Sequence, residues 1–186
     1  MNIFFSYIQI LRPLNLLFAA TSVVISAWLT NTTHKTEIIL HAIMVVISFA
    51  GASNILNDIL DIKIDKKNQP NRPLPSGRIN RAAATLYMLG LYFCGICFLQ
   101  TLSLRAIGIA LLIVLPLLII YTSELKRIAL VGNVAIAVSI ASVFLFSELA
   151  LTGQLNQMII PGALAFGLTL IRELIKDIQD VEGDEL

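Results

Sequence analysis

Charge-free runs alternate with short charged segments along the whole chain. No Asp, Glu, Lys or Arg occurs in residues 13–30, 38–57, 82–104, 106–123, 128–147 or 149–171. Each run reaches the roughly 18 residues that an α-helix needs to cross about 30 Å of hydrocarbon. The pattern therefore predicts an all-α, polytopic bundle of six transmembrane helices. A membrane β-barrel would instead repeat strands of about ten residues with alternating polarity, and no such alternation recurs. The first run resembles the core of a signal peptide in length, but Arg12 precedes an apolar stretch that continues past Trp28 with no small-residue cleavage site. It is read as a retained first helix.

Composition strengthens this reading. Of 186 residues, 57% are hydrophobic and only 13% charged, against about a quarter charged in soluble domains. The net charge of +1 is uninformative, whereas the placement of charge is not. With the N-terminus in the cytoplasm, that side holds Arg12, Lys63, Lys66, Lys67, Arg72, Arg78, Arg81, Lys126, Arg127, Arg172 and Lys176. These are 11 of the 13 basic residues, and only Lys35 and Arg105 fall outside. The positive-inside rule thus predicts a multi-pass cell-membrane protein with a cytoplasmic N-terminus. No nucleic-acid partner is expected.

The polar residues are concentrated at two places. After the second run the sequence reads N57-D58-x-x-D61-x-x-x-D65. Asn57, Asp61 and Asp65 are spaced i, i+4 and i+8, which stacks them in one column on a helix face. Like charges in such a column repel unless a cation fills it, and an all-oxygen set suits a hard ion such as Mg²⁺ completed by phosphate. The end of the sixth run repeats the spacing as Asp177, Asp180 and Asp184, with Asp177, Asp180 and Asp184 each 119 residues after Asp58, Asp61 and Asp65. Asn15 and Asn133 give a weaker echo at 118. A recurring unit of four helices is therefore predicted, with one acidic column per copy.

Cations accompany both columns: Arg72, Arg78, Lys126, Arg127, Arg172 and Lys176. Metal and arginine together can share the charge of a diphosphate. Between the second and third runs, Pro70, Pro73, Pro75 and Gly77 stiffen a segment that is long for a helix connector; it is expected to lie over the columns as a lid that carries Arg72. Cys94 and Cys97 form a C-x-x-C without further ligands and are read as packing residues. His34 and His41 are read as interface residues.

The motifs N57-D58-x-x-D61-x-x-x-D65 with N71-R72-P73-L74, and R172-E173-x-x-K176-D177-x-x-D180-x-x-G183-D184, resemble those of the UbiA superfamily of intramembrane prenyltransferases. L11-R12-P13-L14-N15, Y121-T122-x-x-L125-K126 and G132-N133 add to the resemblance, which covers the whole chain. It implies a helical bundle around a cavity capped on the cytoplasmic side, with Mg²⁺ as cofactor and a polyprenyl diphosphate as donor. Carried over, Asn57, Asp61 and Asp65 serve one metal site and Asp180 and Asp184 the other. Asp58 and Asp177 support them at the diphosphate, and Arg72, Lys126, Lys176 and Arg172 act as the catalytic cations. The form of the second motif is similar to the branch that alkylates geranylgeranylglyceryl phosphate in ether-lipid synthesis; an aromatic acceptor, as in quinone pathways, is the alternative. The family has about nine spans, so residues 1–186 are expected to form a single membrane-embedded domain that is truncated at its C-terminus. From a different class, a cation-coupled transporter would place its carboxylates near mid-membrane, not at helix ends beside basic loops.

Overall fold

The computed structural model describes residues 3–128 and 130–184, with the side chains of Arg127 and of residues 180–184 outside the described ones. Helix α1 (Ile3–Gln9) and helix α2 (Pro13–Leu29) meet at a 50° bend. Pro13 has no N–H to donate and disfavours α geometry in the residue before it. Arg12 accordingly takes a left-handed φ of 56°. Asn54 donates from Nδ2 to the Leu11 carbonyl at 2.9 Å and so satisfies a backbone group beside the bend.

Helix α3 (Thr36–Leu60) ends at Asp61, from which the short helix α4 (Ile62–Asn68) departs. Helix α5 (Arg81–Leu99) begins where Asn80 Oδ1 accepts from the Ala83 amide at 2.7 Å, an ordinary N-cap. Helix α6 (Leu104–Ile109) is capped in the same way by Ser103 and runs through a π-helical segment (Ala110–Val114) into helix α7 (Leu115–Ser123). Pro116 cannot donate to the carbonyl four residues back, and the ladder widens into the π turn just before it. A 3₁₀ turn (Leu125–Arg127) leads to helix α8 (Val131–Thr152), and helix α9 (Ile159–Asp184) follows. No strand occurs among the described residues.

Helix α3 occupies the centre, with α2, α5, α7 and α8 packed around it. Its Val45, Val46 and Phe49 meet Leu99, Ala106, Phe146, Leu149 and Ala150 in the main core. Helices α3 and α5 approach closely because Gly95 has no side chain: a Cβ there would stand 2.5 Å from the Phe49 ring. Small residues at helix contacts are the usual device where lipid supplies no hydrophobic drive. The outer faces carry Trp28, Leu86, Phe93, Leu112 and Leu168, all exposed. A surface of this kind marks contact with the bilayer interior.

Helices α3, α5, α6 to α7 and α8 are long and apolar enough to span, and the bent α1–α2 pair would make a fifth span. The predicted sixth run differs in detail. Glu148 does not end the fifth helix; it sits inside α8, and the chain turns at Gly153, whose φ of 73° suits glycine at a helix C-terminus. Helix α9 therefore starts ten residues later than the run does, and residues 159–176 include Arg172, Glu173 and Lys176.

The segment between α4 and α5 is a docked strap. Pro73, Leu74 and Ile79 are buried, Leu74 and Ile79 in a second core with Ile10, Ile55, Ile59 and Ala84. Turns from Arg72 O to Ser76 N and from Pro73 O to Ile79 N hold its shape.

Candidate functional site

Four acidic or amide side chains gather at the junction of α3 and α4, and three cations reach them from other parts of the chain. The Lys126 ammonium lies 2.6 Å from both Asp61 carboxylate oxygens and 3.0 Å from Asn57 Oδ1. Arg72 donates from Nη1 to Asp65 Oδ2 at 2.7 Å and stands 3.8 Å from Asp58 Oδ1. Arg12 donates from Nη2 to the same Asp58 oxygen at 2.7 Å. Asp58 is 4% exposed at its side chain and Arg12 33%. A carboxylate so buried requires paired charge.

The single column predicted for Asn57, Asp61 and Asp65 is divided. Asn57 and Asp61, four apart, share Lys126, whereas Asp58 and Asp65, seven apart and hence nearly eclipsed about the axis, share Arg72. The division follows from the angular drift of the i+4 row: over two steps Asp65 turns away from Asn57 and toward the strap. The interruption at Asp61 leaves both backbone bonds intact, with Asp61 N to Asn57 O at 2.9 Å and Asp65 N to Asp61 O at 2.8 Å.

The strap brings Arg72 to the acids. Arg78, in the same strap, donates to Ser6 Oγ at 3.3 Å, to Gln9 Oε1 at 3.2 Å and to the Asn71 carbonyl, which ties α1 to the strap. Lys126 owes its place to the turn 125–127, which rests against the first residues of α8.

The second motif lies along the last turns of α9. Asn133 of α8 donates from Nδ2 to Asp177 Oδ2 at 2.6 Å. Arg172 is 75% exposed and pairs only with its neighbour Glu173, at 3.4 Å, among the described residues. Lys176 is exposed and, with Arg172, Leu168, Ile171, Ile175 and Gln179, lines an open groove along α9. Among the described residues, neither Arg172 nor Lys176 makes an ion pair with the α3–α4 cluster. Asp180 and Asp184 lie on α9, and their side chains are outside the described residues. Tyr121, half-buried at the end of α7, feels the charges of Glu173, Arg12 and Asp61.

Among the described residues no three Asp, Glu, His or Cys side chains converge as a metal cluster. The donor chemistry nevertheless fits a hard cation: Asn57 and Asp61 present three oxygens around one point, and an ammonium already sits there.

Two residues at or near the site were given no site role by sequence reasoning. Arg12 counted toward topology and as part of L11-R12-P13-L14-N15, although its place directly before Pro13 marks a bend that aims a side chain. Asn133 was noted as an echo of Asn15 and as part of G132-N133. At the other end of the bundle, Glu148 is 2% exposed and accepts from the amides of Asn156, Gln157 and Met158 at 2.8–3.0 Å. Lys35 and Arg105 donate there to the Leu151 and Gly153 carbonyls, so the two basic residues predicted for the opposite side do meet at one end.

The family model described as UbiA prenyltransferase family matches residues 16–186. Digeranylgeranylglyceryl phosphate synthase of Methanosphaera stadtmanae is 41% identical over 179 residues, covering 96% of this chain and 64% of that protein. The protein of the same name from Methanothermobacter thermautotrophicus is 37% identical over 178 residues, covering 96% and 62%. A solved structure described as "Structural and mechanistic insights into the biosynthesis of Digeranylgeranylglyceryl phosphate synthase in membranes" matches with a TM-score of 0.83 at 30% identity, over 100% of this chain and 66% of that one. The chain spans a little under two thirds of the length of these relatives.

Proposed function

Because this chain belongs to the UbiA prenyltransferase family, we propose that it carries the diphosphate-binding part of an enzyme that moves a geranylgeranyl group from its diphosphate to geranylgeranylglyceryl phosphate. The observation that carries the reading is the cluster at the α3–α4 junction, where Arg12, Arg72 and Lys126 converge on Asp58, Asp61, Asp65 and Asn57. The relatives named for digeranylgeranylglyceryl phosphate support the lipid acceptor over an aromatic one.

Mg²⁺ is the metal that the donor set suits. Asn57 and Asp61, whose three oxygens surround one point, would hold one ion and Asp180 and Asp184 another, with Asp58, Asp65 and Asp177 beside them. Bound there, Mg²⁺ would offset the negative charge of the donor's diphosphate. Arg72 engages its acids through Nη1 alone, and a guanidinium has five N–H donors. Arg72 therefore has donors to share with phosphate oxygens, and Lys126, Lys176 and Arg172 add positive charge. As the C1–O bond of the donor breaks, its electron pair leaves on the diphosphate and an allylic cation remains. The acceptor hydroxyl oxygen attacks C1 and loses its proton, giving an ether, diphosphate and H⁺. Fixed cations act most strongly where this charge develops, and apolar helices keep water from the cation. The whole chain is read as one membrane-embedded domain, with its N-terminus and this site on the cytoplasmic side.

The test uses membranes that contain the chain, alone and fused to the C-terminal third of the Methanosphaera stadtmanae relative, with that relative as control. Labelled geranylgeranyl diphosphate, geranylgeranylglyceryl phosphate and Mg²⁺ are supplied, and a labelled ether lipid is the expected product. Prenylation of a phenolic acceptor in its place would overturn the acceptor assignment. No prenylation of either acceptor by either form, with the control active, would overturn the function.

A further inference from the structure

Adjacent residues of α8 lead to the two acidic motifs. Gly132 is buried in the first turn of α8, where a Cβ would stand 2.8 Å from the Leu125 carbonyl oxygen and 3.2 Å from Lys126 Cα. Both obstructing atoms are backbone, so only glycine lets the 125–127 turn settle this close. That turn carries Lys126, whose ammonium holds Asn57 and Asp61. The next residue, Asn133, holds Asp177 of the second motif at 2.6 Å. Farther along α8, Ser139, Ser142 and Ser147 bond back to carbonyls of their own helix. They tie α8 to nothing else.

We infer that Gly132 and Asn133 form a positioning joint that sets the spacing between the two acidic motifs, one residue acting through Lys126 and the other through Asp177. The inference rests on reading the two motifs as walls of one diphosphate site. In such a site a misplacement of about 1 Å can cost up to about 10²-fold in rate, so a rigid link between the walls has a direct consequence. The repeat supports the role of Asn133. Arg12, at the start of α2, holds Asp58, and Asn133, in the first turn of α8, holds Asp177, 119 residues after Asp58. In each half, the helix before the motif anchors its first aspartate.

The joint is tested by distance and by metal dependence. Spin labels at Lys67→Cys and Gln179→Cys, in a Cys94→Ser, Cys97→Ser background in lipid nanodiscs, report the separation of the motifs without requiring turnover. A narrow distribution is expected for the parent and a broad or shifted one for Gly132→Ala and for Asn133→Ala. Asn133→Gln, which keeps the amide donor, restores part of the narrowness. In the transfer assay, Asn133→Ala raises the Mg²⁺ needed for half-maximal rate by about tenfold, as loss of a residue that orients a metal site does. If Gly132→Ala does not insert, Asn133→Ala, a change at a partly exposed position, decides the matter. Unchanged distances in the variants that insert, or an unchanged Mg²⁺ requirement in Asn133→Ala, would overturn the joint. Absence of transfer by the parent would count against the prenyltransferase reading alone, since the distances still decide the joint.

Discussion

Asp58 accepts from Arg12 at 2.7 Å and has Arg72 at 3.8 Å, with almost no solvent of its own. Removal of Arg12 leaves a buried carboxylate with one distant cation, which costs about 1–3 kcal/mol. Arg12→Ala is therefore expected to lower the melting temperature of the detergent-solubilised protein, and Asp58→Asn in the same chain to recover most of the loss. An additive double mutant would show that the two side chains do not depend on each other. Asp61 has a different place. It is paired with Lys126 near the surface of the bundle, so Asp61→Ala is expected to insert normally and to lose about 10²-fold or more in transfer rate. Full activity in Asp61→Ala would reduce the cluster to solvated helix ends. The residue types were legible in the sequence, because acids at four-residue spacing beside arginines have few other uses. Their partners were not: Lys126 is 65 residues from Asp61 and Arg12 is 46 from Asp58, and no local rule connects them.

Helix boundaries were legible where a local signal set them and not where a distant residue did. Asn80 and Ser103 cap α5 and α6 within three residues, and Pro13 and Pro116 mark the bend and the π turn that they cause. Glu148 misleads a reading based on charge alone, since a lone carboxylate in an apolar run looks like a boundary. In the fold it is satisfied by three amides at the start of α9 and remains inside α8. It thus caps the next helix from a distance, as a carboxylate favours a helix N-terminus. Glu148→Ala removes all three bonds and is expected to cost about 2–3 kcal/mol; hydrogen exchange at residues 156–162 should speed up more than in α3. Uniform exchange across both helices would argue against the cap.

Across the whole molecule, the polar features divide between two ends. Arg12, the strap, Lys126, Asn133 and the acidic motifs belong to one end, and Lys35, Arg105 and Glu148 to the other. With the first end cytoplasmic, an impermeant maleimide applied outside intact cells should label Thr33→Cys and spare Asn68→Cys, both in the Cys94→Ser, Cys97→Ser background. The reverse pattern would invert the proposed orientation. The sequence by itself determined that the chain is helical and lies in a membrane, because backbone groups in lipid must be satisfied within each segment and run length alone then dictates spans. It also singled out the residues proposed to carry the chemistry, because the two aspartate motifs recur in register. Only the tertiary structure decided which cation meets which acid, how the first column divides between Lys126 and Arg72, and that α8 meets both Asp177 and the turn that carries Lys126. Those depend on how helices rotate and approach one another, and that is set by packing of small residues such as Gly95 and Gly132 against distant backbone and rings, which no periodicity along the chain records.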